Sequence, residues 1–279
     1  MKCELYNDHF ENAKRYQIPT AQLIIADIPY NLGKNAYASN PVWYNDGNNK
    51  NGESDLANKQ FFDTDGDFKI NNFFDFCTRY LKKEPKRSGE RGKPSNAPAM
   101  IVFCAFEQMH MVIDEGRRHG LIHSYPLVFI KSSSAQVLKA NMKIVGGCEY
   151  AVVLYRDKLP KFNNNGKMIM NWFNWQVDGT EIPKIHPTQK PIKVLKRLIE
   201  IFTDYGDVVI DPCAGSGSTL RAAAELGRNA YGFEIKKNFF SNAKDKMLKV
   251  IQTDIFVSMY EIEQENRKQT FIDKLRGDK

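Results

Sequence analysis

Two short stretches hold residue types that could do chemistry together. Asp27-Ile28-Pro29-Tyr30 offers a carboxylate, a backbone carbonyl and an aromatic plane within four residues. That trio suits an amino group on a planar base: two acceptors take its hydrogens while the ring stacks on Tyr30. The second stretch is a small-residue loop, Asp211-Pro212-Cys213-Ala214-Gly215-Ser216-Gly217. Gly215 and Gly217 let the backbone turn, or approach a ligand, where a Cβ would clash. Glu234 follows roughly twenty residues on, where nucleotide-binding α/β units place the acid that grips a ribose diol. No strong base or nucleophile is obvious nearby, so the chemistry need not pass through a covalent intermediate.

These residues must be positioned by regular elements, and the pattern around them is that of an α/β protein. Ala21 to Tyr30 is continuously apolar up to Asp27, as in a strand covered on both faces, and Pro29 prevents its continuation. Val208 to Ile235 reads as a strand ending at Asp211, a helix, and a second strand closing on Glu234. Further strands are expected at Met100–Phe106, Ser124–Ile130 and Tyr150–Tyr155, with a hairpin crossing the sheet edge between the last two. Helices are expected at Phe10–Tyr16, Asn71–Lys83, Gln108–Arg118, Ile192–Phe202 and Lys236–Val250. In open α/β sheets functional residues lie at the carboxyl edge, so both strand ends can face one crevice.

With 279 residues, 42% of them hydrophobic and 26% charged, the chain reads as one globular domain carrying insertions. Residues 31–69 are rich in Asn, Gly and Asp with interleaved aromatics, which predicts a substrate-binding insertion. The Asp63–Asp67 stretch resembles a calcium loop but lacks its glycine and its closing glutamate. Residues 132–184 are expected to form a small target-recognition region. Within it Trp172, Phe173 and Trp175 either pack a subdomain, the favoured reading, or lie against nucleic acid. Residues 252–279 read as a charged tail. Lys82 to Lys93 holds six basic residues against two acids and reads first as a solvated linker, second as a phosphate contact. The net charge of +7 favours a polyanionic partner. Five scattered cysteines suggest neither a disulfide framework nor a metal site. Nothing reads as a leader or a membrane span, and a cytoplasmic setting is expected.

Taken together, DIPY at Asp27, HPTQKP at His186 and DPCAGSGST at Asp211 resemble the S-adenosylmethionine-dependent DNA amino-methyltransferases. Their order, tetrapeptide early and cofactor loop late, is similar to that of the permuted beta class. The resemblance implies a Rossmann-like methyltransferase fold: an open, mostly parallel seven-stranded sheet with helices on both faces. It implies S-adenosylmethionine as cofactor and DNA as partner, and leaves a homodimer and a cognate restriction nuclease as open partners. Asp211 to Gly217 would line the methionine and ribose part of the cofactor and Glu234 its ribose hydroxyls. Thr188, Gln189 and Lys190 would close over its amino-acid end, and Asp8 would neighbour its adenine. Asp27 and the Ile28 carbonyl would hold the target amino group, with Pro29 and Tyr30 completing the catalytic tetrapeptide. The family pattern has Pro where this chain has Ile28, and Gly where it has Asn7. Aspartate at the head of the tetrapeptide points to adenine N6, serine in most relatives of that kind to cytosine N4. RNA adenine methylation and an inactive DNA-binding homologue are the remaining alternatives.

Overall fold

The computed structural model describes residues 1–30, 68–86, 95–132, 137–139, 144–186 and 188–249. Its strands are β1 (Cys3–Tyr6), β2 (Leu23–Asp27), β3 (Ala99–Cys104), β4 (His123–Ile130), β5 (Val137–Lys139), β6 (Ile144–Val145), β7 (Cys148–Tyr155), β8 (Trp172–Asn174), β9 (Val208–Asp211) and β10 (Asn229–Phe233). Helices α1 (Ile70–Tyr80), α2 (Met109–Arg118), α3 (Ile192–Phe202), α4 (Ser218–Glu225) and α5 (Lys237–Asn242) complete the frame. The main sheet runs β1-β10-β9-β2-β3-β7-β4-β8, while β5 and β6 form a separate antiparallel pair. The seven expected strands are thus joined by an eighth, the short β8, added parallel to β4 at the edge. Pairing is parallel from β1 through β3, and β7 is antiparallel to both its neighbours.

The unbroken apolar strands follow from burial on both faces. Side chains alternate across a sheet with period two. Leu23 and Ile25 of β2, Ile101 and Phe103 of β3, and Val209 of β9 enter one core with α3 and α4. Ile24 and Ala26, Met100 and Val102, and Ile210 enter a second core with α1 and Val112 of α2. An exposed face on either side would have left an alternating polar pattern in the sequence.

Element ends differ from the sequence expectations where long-range pairing takes over. The helix expected to reach Lys83 stops at Tyr80, because Leu81 bridges Ala21 and the Lys82 amide donates to the Ala21 carbonyl (2.9 Å). The helix expected from Lys236 is α5 followed by a π-helical turn, Ala243–Met247, rather than one continuous element. Phe173 and Trp175 pack against Phe129, at ring centroid distances of 5.6 and 6.1 Å, while Trp172 stays largely exposed. Packing accounts for two of those three aromatics. The insertion expected over 31–69 lies outside the described residues apart from Phe68 and Lys69, as does the tail over 252–279. Phe68 packs on Phe73 (5.4 Å between centroids). At the start of the basic run, Lys82 pairs with Asp207 at 2.9 Å and the Glu84 carboxylate accepts the Lys158 amide; the run's residues 87–93 lie outside the described set.

Candidate active site

The carboxyl ends of β1, β10, β9 and β2 form one edge of the sheet. From β9 the chain runs through α4 to β10 on one side. From β2 it runs through α1 to β3 on the other. Adjacent β9 and β2 therefore flank a topological switch point, where parallel sheets open a crevice. Asp211 ends β9 and Asp27 ends β2, so the two motifs separated in sequence meet at that crevice.

On the β9 side, the Cys213 amide donates to Asp211 Oδ1 at 3.0 Å. The Ala214 amide donates to the Phe233 carbonyl at 2.8 Å, tying the loop to β10. Gly215 and Gly217 have φ of 52° and 74°, the left-handed region that costs a β-carbon residue ~1–2 kcal/mol. Gly217 is also the N-cap of α4, whose free amides face the loop. Ser216 and Ser218 are buried and hydrogen-bonded to each other at 2.7 Å. Pro212 is buried, and Cys213 is partly so. Glu234 accepts from the Gly215 amide at 2.9 Å and from the Lys236 amide at 2.7 Å, which orients its carboxylate along the loop. Burial pushes Asp211 up to about 7; the Thr219 hydroxyl and Cys213 amide oppose this, and the charges of Asp27 and Glu234 add to it.

The β2 side is held from several directions. The Ile28 side chain is buried and its amide donates to the Phe103 carbonyl at 3.2 Å. The Pro29 carbonyl accepts from Gln108 Nε2 at 3.0 Å, and Gln108 Oε1 in turn accepts the Ala105 amide. Tyr30 donates its hydroxyl to Glu149 Oε2 at 2.8 Å. Lys190 Nζ donates to Asp27 Oδ2 at 2.6 Å and lies over the rings of Tyr30 and Phe103, 5.4 and 5.3 Å from their centroids. A quarter of the Asp27 side-chain surface is open, yet Oδ1 itself is sealed. Among the described residues it is the one buried side-chain polar atom without a hydrogen-bond partner. Burial raises the Asp27 pKa against the pull of Lys190, and Glu149 adds to the rise.

The HPTQKP segment lies between these sides. A Cβ on Gly215 would come within 3.7 Å of the His186 ring. Burial, with Lys190 and Lys236 nearby, pushes His186 down to about 4, so the imidazole is neutral at pH 7. Thr188 is exposed and contacts His186 Nδ1 through its hydroxyl at 3.1 Å. Gln189 uses both ends of its amide within the loop, on the Ile185 amide and the Pro183 carbonyl, and so shapes the segment. Lys190 meets the tetrapeptide rather than the glycine loop. Asp8 lies just past β1 on the same edge, with its carboxylate taken up by the His9 amide, Asn12, Tyr16 and Arg15. Sequence reasoning missed Gln108 and Glu149. Both come from elements far along the chain, and no local motif marks either of them.

A family model for DNA methylases matches residues 99–245, more than half of the chain. The DNA adenine methyltransferase YhdJ of Escherichia coli K12 is 25% identical over 256 residues, 85% of this chain and 80% of that protein. The crystal structure of the M1.HpyAVI–SAM complex superposes with a TM-score of 0.61 at 21% identity, covering 88% of this chain and 98% of that one. PvuII DNA methyltransferase, cytosine-N4-specific, gives 0.59 at 14% identity over 88% and 86%. These two solved structures share the fold that brings the two motifs to one crevice, and the matched span runs from β3 through the glycine loop to α5. The chain belongs to the DNA methylase family of N6- and N4-methyltransferases.

Proposed function

We propose that this chain methylates the N6 amino group of adenine in DNA, by direct transfer to a base turned out of the helix. The observation that carries this reading is Asp27 Oδ1, a buried acceptor without a donor among the described residues, on a carboxylate whose other oxygen is held by Lys190, the lysine that lies over the Tyr30 ring. An exocyclic amino group is the donor that fits it. Aspartate rather than serine at position 27, and the likeness to a protein named as an adenine methyltransferase, favour adenine over cytosine.

The cofactor is S-adenosylmethionine, which when bound supplies an electrophilic methyl group. The residues present fit it: a loop with two left-handed glycines, the N-terminus of α4, and Glu234 at the adjacent strand end. Asp211 to Gly217 and Glu234 would hold the cofactor, with Thr188 at the open side. Asp27 Oδ1 and the Ile28 carbonyl would take the two amino hydrogens and aim the nitrogen lone pair. Tyr30 would stack on the base. The positive charge that grows on the nitrogen is favoured by the Asp27 carboxylate, and its raised pKa suits Oδ1 to receive the departing proton.

Replacing Gly215 with Val is expected to raise the cofactor dissociation constant about tenfold or more. The left-handed backbone would have to rearrange, at ~1–2 kcal/mol. Isothermal titration with S-adenosylmethionine checks this, and unchanged affinity would place the cofactor elsewhere. Base identity is tested by digesting DNA methylated in vitro to nucleosides and weighing them. N6-methyladenine is the expected product, and N4-methylcytosine in its place would overturn the adenine reading.

A further inference from the structure

Glu149 is an acid in a register position that otherwise faces the core. Ala151 and Val153, two and four residues on, point into the core shared with α3 and α4. Because β7 is antiparallel, its beginning lies at the carboxyl edge of β2 and β3. Asp27 pairs with Phe103, Phe103 with Ala151, and Glu149 lies one side-chain step further along the same face. There Oε2 accepts the Tyr30 hydroxyl at 2.8 Å, and Oε1 pairs with Lys131 from the end of β4.

We infer that Glu149, held by Lys131, is a positioning residue that fixes the place of the Tyr30 ring for stacking on the target base. The inference rests on the DNA amino-methyltransferase reading of the site. A tyrosine ring turns about two side-chain bonds, and the Gln108 contact to the Pro29 carbonyl holds only the backbone. The bond at the phenol oxygen fixes the far end of the ring. Protonation states favour it. Burial alone would raise Glu149, but Lys190 and Lys131 outweigh it and keep the carboxylate charged. Burial and the neighbouring carboxylates push the Tyr30 phenol well above its usual range, so it stays a donor. A phenol donating to a carboxylate is a charge-assisted bond, stronger and more directional than a neutral one.

A blander role would be charge balance, with Glu149 acting only on Lys190 and through it on Asp27. A double-mutant cycle separates the two. The readouts are single-turnover methylation of DNA, cofactor affinity by titration, and melting temperature, with the wild-type protein as control. Glu149→Ala and Tyr30→Phe are each expected to slow methyl transfer about tenfold, the loss of one hydrogen bond to a charged group. The double variant should be no slower than the slower single one, with cofactor affinity within about threefold throughout. Glu149→Gln, whose amide oxygen still accepts the phenol but which loses the charge and the pairing with Lys131, should recover part of the rate. Lys131→Met leaves Glu149 in place, so it keeps the test open if Glu149→Ala does not fold; its expected loss is about threefold and vanishes in the Tyr30→Phe background. A loss from Glu149→Ala or Lys131→Met that persists undiminished in that background would route the effect through Lys190 and overturn the inference. So would a wild-type rate in Glu149→Ala. A wild-type protein that methylates no DNA would instead overturn the functional reading itself.

Discussion

Asp27→Ala is expected to lower the rate of methyl transfer by about 10²–10³-fold, the size of effect seen when one preorganised electrostatic group is removed from an active site. Cofactor affinity should stay within a few-fold, because among the described residues the loop from Asp211 to Gly217 and Glu234 make no hydrogen bond to Asp27 and meet it only through the charge it adds at Asp211. The variant has a second consequence. Lys190 is buried and its ammonium donates to Asp27 at 2.6 Å, so removing the carboxylate strands a buried cation beside Glu149. A lower melting temperature is therefore expected along with the lost rate. The double variant Asp27→Ala, Lys190→Met separates the two effects: stability should return and methylation should not. Asp27→Asn keeps an acceptor oxygen but not the charge, and should fall between wild type and Asp27→Ala. If Asp27→Ala methylates DNA at an undiminished rate, the catalytic assignment of the tetrapeptide is wrong.

Asp211→Asn is expected to stabilise the cofactor-free protein above about pH 4, by an amount that grows up to about pH 7. Burial holds the Asp211 pKa at about 7 in the folded chain against an ordinary value of 3.8. Between those values the folded chain keeps a proton that the unfolded chain has lost. Stability from this group is full below about pH 4, declines as pH rises toward 7, and is constant above it. Ionising Asp211 at pH 8 then costs up to about 4 kcal/mol, at ~1.4 kcal/mol per pH unit. Asparagine fills the same volume, still accepts the Cys213 amide, and carries no charge. Melting curves of both proteins should coincide near pH 4, diverge progressively to about pH 7, and keep that gap at pH 8, with the variant higher. A gap that does not change with pH would show that Asp211 is not buried as a strained carboxylate.

How much of this was legible beforehand depended on whether the determinants were local. The apolar runs Leu23–Ala26 and Val208–Ile210 announce strands covered on both faces, and the structure covers them with two cores. Gly215 and Gly217 announce a turn only glycine makes easily, and both have positive φ. Helix ends were less legible. Tyr80 ends α1 because Ala21, distant in sequence, takes up Leu81 and Lys82 in place of another helical turn. The edge strand Trp172–Asn174 is three residues long, too short for any period to show.

By itself the sequence determined the two motifs, their order along the chain, and the parallel sheet that ends at each. Those features rest on backbone conformation and on side-chain alternation over a few residues, which neighbouring residues set. Only the tertiary structure decided which side chains surround Asp27 and Tyr30. Lys190 reaches Asp27 because α3 packs against the sheet and starts beside the crevice. Glu149 reaches Tyr30 because an antiparallel strand delivers its first residues to the edge where the parallel strands deliver their last. A charge pair across more than a hundred residues leaves no spacing to read, since its distance is set by the register of the sheet and not by the chain between.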